Sequence, residues 1–262
     1  MRSMLPLLLA CAAWAVPVTV RQTEGVLHGF LVLRALDGAI IADGELTQVT
    51  HGGQITSELV YRFKDGSLQD ENIVFSQTGR FRLLTDHLVQ QGPAFNRPMD
   101  VSINAVTGLV MVRYKDDKGK DKVEIAHMKL PPDLANGMVP VLLKNLVPGA
   151  PSTTVSMVVA TPKPLLVKLV ITAEGEESFS TGSVSHKATR YAVKIAIGGV
   201  RGALAPMVGK QPPDTLVWIL GGICPAYLKS EGPSYEGGPI WRTELVSPAW
   251  PVGAVPPAAR KK

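Results

Sequence analysis

Apolar and polar residues alternate with a period of two along most of this chain, and glycine, aspartate or asparagine interrupts the alternation about every ten residues. In "ITSELVYRFK", Ile55, Leu59 and Tyr61 fall on one face of an extended strand, whereas Thr56 and Glu58 fall on the other. The pattern predicts a mainly β, antiparallel domain of about a dozen strands joined by hairpins, each with one buried and one solvated face.

The same alternation assigns charged residues to faces. In "FRLLTDHLVQQ", Phe81, Leu83 and His87 share the apolar face, whereas Asp86 and Gln90 share the polar face. His87 is therefore expected to be a core histidine that forms no catalytic pair with Asp86. Glycine-containing turns are predicted at Gly52-Gly53, Asp65-Gly66, Thr107-Gly108, Lys118-Gly119 and Glu174-Gly175, the last with Glu176 and Glu177 at the same hairpin tip.

The body of the chain is expected to be one domain, because no shift in composition divides residues 16–247. A sheet of this many strands accumulates twist, and it either curls or splits into a sandwich. We predict the curled form, a single large antiparallel sheet that makes a half-barrel. The open mouth of such a sheet needs a covering element.

One segment, "LPPDLANGMVPVLLKNL" at residues 130–146, departs from the strand pattern. Asp133 follows two prolines and is placed to cap a helix, while Gly137 and Pro140 disfavour a continuous helix interior, the proline by about 3 kcal/mol. The spacing predicts a helical plug at 132–146, made of two short pieces, over the mouth of the sheet. Its apolar side chains recur at intervals of four and are Leu134, Met138, Val139, Leu142 and Leu143.

A second segment, residues 198–209, is glycine-rich but too apolar for an ordinary exposed loop, since it carries Leu204, Met207 and Val208. Two interpretations of these segments are open. The favoured one is that both complete the core and leave no cavity, and the alternative is that their apolar side chains line a hydrophobic cavity at the open side of the sheet.

The first residues, MRSMLPLLLACAAWAVPVTV, have the layout of a secretory signal peptide that is cleaved after Ala15. We expect residues 1–15 to be removed and the protein to be exported, to the periplasm or to the medium. An alternative cleavage leaves Cys11 as a lipid-bearing N-terminus. Residues 248–262, rich in proline and alanine, are predicted to form a disordered basic tail.

Charge and hydropathy exclude two classes of protein. The formal net charge is +5, but Arg2, Arg260, Lys261 and Lys262 supply four of these charges, so no clustered basic face for nucleic acid is expected. No later segment reaches about 18 uninterrupted apolar residues, so an integral membrane protein is not expected.

If the chain is cleaved after Ala15, Cys224 is the one cysteine that is left. We expect its side chain to be buried, and the alternative is a disulfide bond between two chains.

No catalytic or metal-binding motif is present. The sequence lacks the G-x-S-x-G, H-E-x-x-H, C-x-x-C and EF-hand patterns, and its five histidines are scattered. We therefore expect a protein that is not an enzyme and that needs no cofactor or metal. A hydrolase or metal enzyme assembled from residues distant in sequence is the remote alternative.

The run "DTLVWILGGICPAYLKSEGPSYEGGPIWRTEL", with Trp218, Pro225 and Lys229, resembles a bacterial domain-of-unknown-function family of exported proteins. "PPDLANGMVPVLLKNL" followed by "VVATPKP" also looks like such proteins, and the resemblance spans residues 24–247 as a pattern. These proteins are similar in architecture to the periplasmic lipoprotein-carrier half-barrels. The resemblance implies a curled sheet that binds lipid, lipoprotein or other hydrophobic cargo, and it carries over no catalytic residue.

Two hypotheses of function follow. The first is an exported, non-enzymatic half-barrel that binds hydrophobic cargo in the cell envelope. The second is a structural or protein-interaction module without a ligand cavity, which works through an exposed strand edge or the tail.

Overall fold

A computed structural model of the protein describes residues 17–147, 149–181, 184–196 and 212–246. These residues form fourteen strands of one antiparallel sheet and one short helix, α1 (Val139–Leu143). The strands are β1 (Leu27–Ala35), β2 (Ile40–His51), β3 (Gln54–Phe63), β4 (Leu68–Ser76), β5 (Arg82–Gln91), β6 (Met99–Asn104), β7 (Leu109–Lys115), β8 (Asp121–His127), β9 (Thr153–Val159), β10 (Leu165–Thr181), β11 (Val184–Ala196), β12 (Thr215–Leu220), β13 (Ala226–Pro233) and β14 (Ile240–Val246).

The sheet consists of two meanders joined at its middle. The first runs from β1 to β8 and the second from β9 to β14, and β1 pairs with β14 from Phe30 opposite Val246 to Ala35 opposite Trp241. β8 and β9 are consequently the two edges of the sheet, and the connection between these edges contains α1. The prediction of a single antiparallel sheet with a short helical element is confirmed.

The composition of the core shows that the sheet curls. One cluster of buried side chains includes Ile73 and Val112 from the first meander together with Leu169 and Val217 from the second. Strands so far apart in the order of the sheet share one core only when the sheet wraps around it. Four side chains of the connecting segment belong to the same cluster, namely Leu134, Met138, Leu142 and Leu143.

The connecting segment contains one helical turn rather than the two predicted. Its first part lies against the edge strand β9, where Leu134 forms a parallel bridge with Ser156. Asn136 then acts as a strand partner: its Nδ2 donates to the Val158 carbonyl, and the Val158 N–H donates to its Oδ1, both at 2.8 Å. Pro140 lies in the first turn of α1. Backbone N–H groups in the first turn have no acceptor within the helix, so the proline removes no helical hydrogen bond.

Asp133 does not cap the helix, contrary to the prediction. The N-cap residue is Met138, which makes no side-chain cap bond. The Asp133 carboxylate is buried, accepts a hydrogen bond from Ser156 Oγ at 2.9 Å and lies 3.3 Å from Lys168 Nζ. The free backbone groups of an edge strand compete with a helix start, and here they hold the chain extended.

The predicted turn at Gly175 is also wrong. Gly175, with φ +137°, lies at a β-bulge inside β10, which continues to Thr181. Glu174, Glu176 and Glu177 therefore lie along a strand and not at a hairpin tip. Ion pairs with the facing strand β11 stabilise this long hairpin, among them Glu177 with Arg190 at 2.8 Å.

Cys224 is exposed, so the prediction of a buried cysteine is wrong. It lies in the turn between β12 and β13, next to Ile223, which is 91% exposed. Among the described residues nothing covers this turn, which explains why apolar composition misled the prediction. No disulfide forms between the described residues.

Several predictions fall on residues outside the described ranges. These are the signal peptide at residues 1–15, the tail at residues 248–262, and the segment with Leu204, Met207 and Val208. Within the described ranges, no helix is long and apolar enough to cross a bilayer.

Candidate functional site

A cavity of about 320 Å³ lies inside the curled sheet, between the two meanders. This volume is at the lower end of the range of small-molecule sites, which is about 300–1,000 Å³. Glu71 of β4 and Asp86 and Gln90 of β5 contribute polar groups. The apolar wall consists mainly of side chains from β6, α1, β9, β10 and β11, namely Val101, Ile103, Val139, Met157, Val158, Val159, Leu169, Val193 and Ile195.

A β-bulge in β5 sets which side chains face the cavity. Phe75 of β4 pairs with Leu83, but the preceding Val74 pairs with Thr85, so Leu84 is an extra residue in β5. An extra residue shifts the alternation of the following side chains by one position.

After the bulge, Asp86 points inward and His87 points outward. Asp86 is only 4% exposed and lines the cavity, whereas His87 is exposed and its Nε2 lies 3.0 Å from Asp100 Oδ1 on the outer face. Gln90 is buried as well, at 2% exposure. The prediction of a core His87 and a solvated Asp86 is wrong because the period-two count does not detect the bulge.

Glu71 lies on the same inner face as Asp86. Asp86 pairs with Ile73, and Glu71 is two residues from Ile73, so both carboxyl side chains project to one side of the sheet. The backbone of Gly137 lies directly against Glu71 and Ile73. A Cβ at Gly137 would lie 3.1 Å from Glu71 Oε1 and 2.5 Å from Ile73 Cγ2.

Burial dominates the electrostatics of the two acids. It raises the pKa of Glu71 to about 7. Burial, and secondly the charge of Glu71, raise the pKa of Asp86 well above its ordinary value. Asp86 Oδ1 has no hydrogen-bond partner among the described residues. The lining residues that the structure describes include a third acid, Glu236, but no lysine, arginine or histidine.

The loop at the rim of the cavity, residues 233–237, is held in place by polar and aromatic contacts. Gln90 Nε2 donates to the Ser234 carbonyl at 3.0 Å, and the Tyr235 hydroxyl donates to the Ala94 carbonyl at 3.1 Å. The Tyr235 ring packs edge-on against Phe95, with centroids 5.5 Å apart. The rim is therefore anchored to the first meander.

A second cavity, of about 220 Å³, adjoins the first at this rim. Ala160, Tyr235 and Glu236 line both cavities, and Arg97 lines only the second. The Arg97 guanidinium lies 3.6 Å from Asp117 Oδ1.

Of the side chains predicted to line a cavity, Val139 lies on its wall. Leu134, Met138, Leu142 and Leu143 are buried in the core cluster, and Leu204, Met207 and Val208 are outside the described residues. Sequence reasoning missed Glu71 and Asp86. The signal for Glu71 was present, because in "QDENIVF" it shares a strand face with Ile73 and Phe75.

No protein-family model and no curated protein matches the sequence. Among solved structures, the chain is similar to the beta-barrel-like protein of domain of unknown function DUF1849 from Brucella abortus, at a TM-score of 0.47 and 10% sequence identity. The match covers 86% of this chain and 98% of that chain.

Proposed function

We propose that the protein is an exported, non-enzymatic binding protein that holds a small hydrophobic ligand, such as part of a lipid or lipoprotein, in the cavity between its meanders. The observation that carries this proposal is the interior volume of about 320 Å³ with a predominantly apolar wall. Export is supported by the signal-peptide layout of residues 1–15.

The cavity is larger than the voids of a well-packed interior, which rarely exceed a water molecule. It opens to solvent at its rim, so its apolar wall, which includes Val139, Leu169 and Val193, is in contact with water when the cavity holds no ligand. A ligand that fills the cavity would remove this apolar surface from water, which favours binding.

The test is mass spectrometry of lipid extracted from the protein purified out of its native envelope. We expect an apolar compound to co-purify with the wild-type protein, and Val193→Phe, which fills the cavity, to reduce its amount at least about tenfold. Val123→Phe, on the outer face of the edge strand β8, is the matched control and should retain it. A clean extract from folded wild-type protein, or equal loading of both variants, contradicts the proposal.

A second candidate function, protein binding by strand addition, is supported by β8. This strand is an edge of the sheet, and on its outer face Val123 is 56% and Ile125 is 60% exposed. Exposed strand edges pair with extended peptides. Ile125→Lys should then abolish capture of a stoichiometric partner from envelope extract, and wild-type protein that captures no such partner contradicts this candidate.

A further inference from the structure

We propose that the cavity recognises a ligand with a primary or secondary ammonium group, which donates N–H bonds to the carboxyl groups of Glu71 and Asp86 while its apolar part lies on the cavity wall. This inference rests on the proposed function and adds the chemistry of the bound group.

The first observation is an unpartnered acceptor. Asp86 Oδ1 is buried, has no hydrogen-bond donor among the described residues, and belongs to a side chain that lines the cavity. A buried polar atom that is left unpaired destabilises the fold, and a charged one does so more strongly. Because the side chain that carries this acceptor lines the cavity, a rotation of its carboxyl group would present the unpaired oxygen to a donor on the occupant.

The second observation is the sign of the charges around the cavity. Glu71, Asp86 and Glu236 line it, and no basic side chain does so among the described residues. Two desolvated acids that lack a neighbouring cation resist ionisation, in agreement with the raised pKa values of Glu71 and Asp86. A bound cation stabilises their ionised forms, whereas the carboxylate of a fatty acid would add a like charge.

The third observation distinguishes an N–H-bearing cation from a quaternary one. Quaternary ammonium groups are recognised by cages of aromatic rings. Tyr235 is the single aromatic residue among the described lining residues, and its ring packs against Phe95. The carboxyl pair, in contrast, needs donated hydrogens, which primary and secondary ammonium groups supply and quaternary groups lack.

The test is calorimetric titration of the full-length protein at about pH 8 with four compounds that share a hexyl chain: hexylamine, 1-hexanol, hexyltrimethylammonium and hexanoate. We expect hexylamine to bind at least about tenfold more tightly than 1-hexanol, because a charge-assisted hydrogen bond contributes more than a neutral one. Hexyltrimethylammonium and hexanoate should bind more weakly than hexylamine.

The variants Glu71→Gln and Asp86→Asn keep the side-chain shape and remove the charge. Each should reduce the preference for hexylamine over 1-hexanol at least about fivefold while its affinity for 1-hexanol stays within about twofold. Asp100→Asn, a carboxylate removed on the outer face, should preserve the preference. If a cavity variant does not fold, the four-compound comparison on the wild type decides the proposal by itself.

The outcomes separate this inference from the proposed function. Binding of 1-hexanol with no preference for hexylamine overturns the ammonium site and leaves hydrophobic binding intact. The ammonium site is also overturned if hexyltrimethylammonium binds as tightly as hexylamine. It is overturned as well if hexanoate binds as tightly as hexylamine, a result that would indicate binding of the carboxylate to Arg97 in the adjoining cavity. Failure of all four compounds to bind overturns both proposals.

Discussion

At the scale of single residues, Gly137 is the position where backbone conformation and close packing coincide. Its φ is +64°, which disfavours any residue with a Cβ, and Ile73 Cγ2 would lie 2.5 Å from that Cβ. Gly119 has a similar φ of +74° in the β7–β8 hairpin, but a Cβ there would meet nothing within 4 Å. The two glycines therefore separate backbone strain from steric conflict.

We expect Gly137→Ala to lower the free energy of unfolding by roughly 2–4 kcal/mol, because overpacking adds to the strain of a left-handed backbone. Gly119→Ala should lose only about 1–2 kcal/mol. Urea denaturation of both variants measures the difference. Equal losses would mean that the connecting segment shifts freely away from β4.

Glu71 links stability to pH. Its pKa is raised from 4.5 to about 7 in the folded protein, so folding favours the protonated form. The stabilisation is complete below about pH 4.5 and is lost as pH rises through about 7. Asp86, whose pKa is also raised, acts in the same direction.

We expect Glu71 to account for a loss of roughly 2–3 kcal/mol of unfolding free energy between about pH 5 and pH 8, so that Glu71→Gln loses less than the wild-type protein by about this amount. Denaturation curves across this range measure both slopes. Wild-type stability that rises with pH would show that Glu71 is stabilised as a carboxylate instead.

At the scale of elements, the connecting segment protects a sheet edge with a side chain. Asn136 supplies both the donor and the acceptor that a neighbouring strand would present to Val158. Edge strands with free backbone groups are prone to pair with other chains. One amide side chain thus completes β9 where the backbone turns towards α1.

Replacing Asn136 with alanine should leave the Val158 amide without its acceptor. We expect hydrogen exchange at that amide to accelerate at least about tenfold, with a loss of about 1–3 kcal/mol in global stability. The amides of β12, which do not contact Asn136 through hydrogen bonds, serve as internal controls. Unchanged protection of Val158 would argue that water replaces the side chain at no cost.

The sequence predicted strands well wherever the period-two pattern runs unbroken. In β3, Ile55 and Tyr61 are buried as expected, and Leu59 is half-buried. The pattern failed at residues where one extra position or a competing backbone partner decides the structure. The extra residue Leu84 exchanges the inward and outward positions of the residues that follow it in β5. The backbone of Ser156 forms hydrogen bonds with Asp133 and Ala135, so the chain there is extended instead of helical.

The candidate site could not be predicted from the sequence for the same reason. Asp86 lines the cavity because of the bulge in β5, and Glu71 lies on the same face as Asp86 only when β4 and β5 pair in their observed register. Register is a tertiary property, set by which faces are buried together and not by local alternation. Only the contribution of Glu71, on the face of Ile73, could be found from the sequence.

At the scale of the whole molecule, the two meanders depend on each other. Neither buries its inner face alone, since the core cluster takes side chains from both, and the connecting segment lies between the two sheet edges. A shared core makes unfolding cooperative, because opening one half exposes the inner face of the other. Each meander is formed by consecutive strands, but the order of the strands in the sheet predicts that the two meanders unfold together as one unit.

Paired truncations of core valines test this cooperativity. Val110 of β7 and Val155 of β9 are both fully buried, one in each meander. Val110→Ala and Val155→Ala should each lower the exchange free energy of the most protected amides by about 2 kcal/mol, equally in β5 and in β11. Hydrogen exchange followed by NMR resolves the two strands in a single sample. If Val110→Ala weakened β5 and left β11 unchanged, the meanders would be separate folding units, and the cavity between them would be an interface between two units rather than the interior of one.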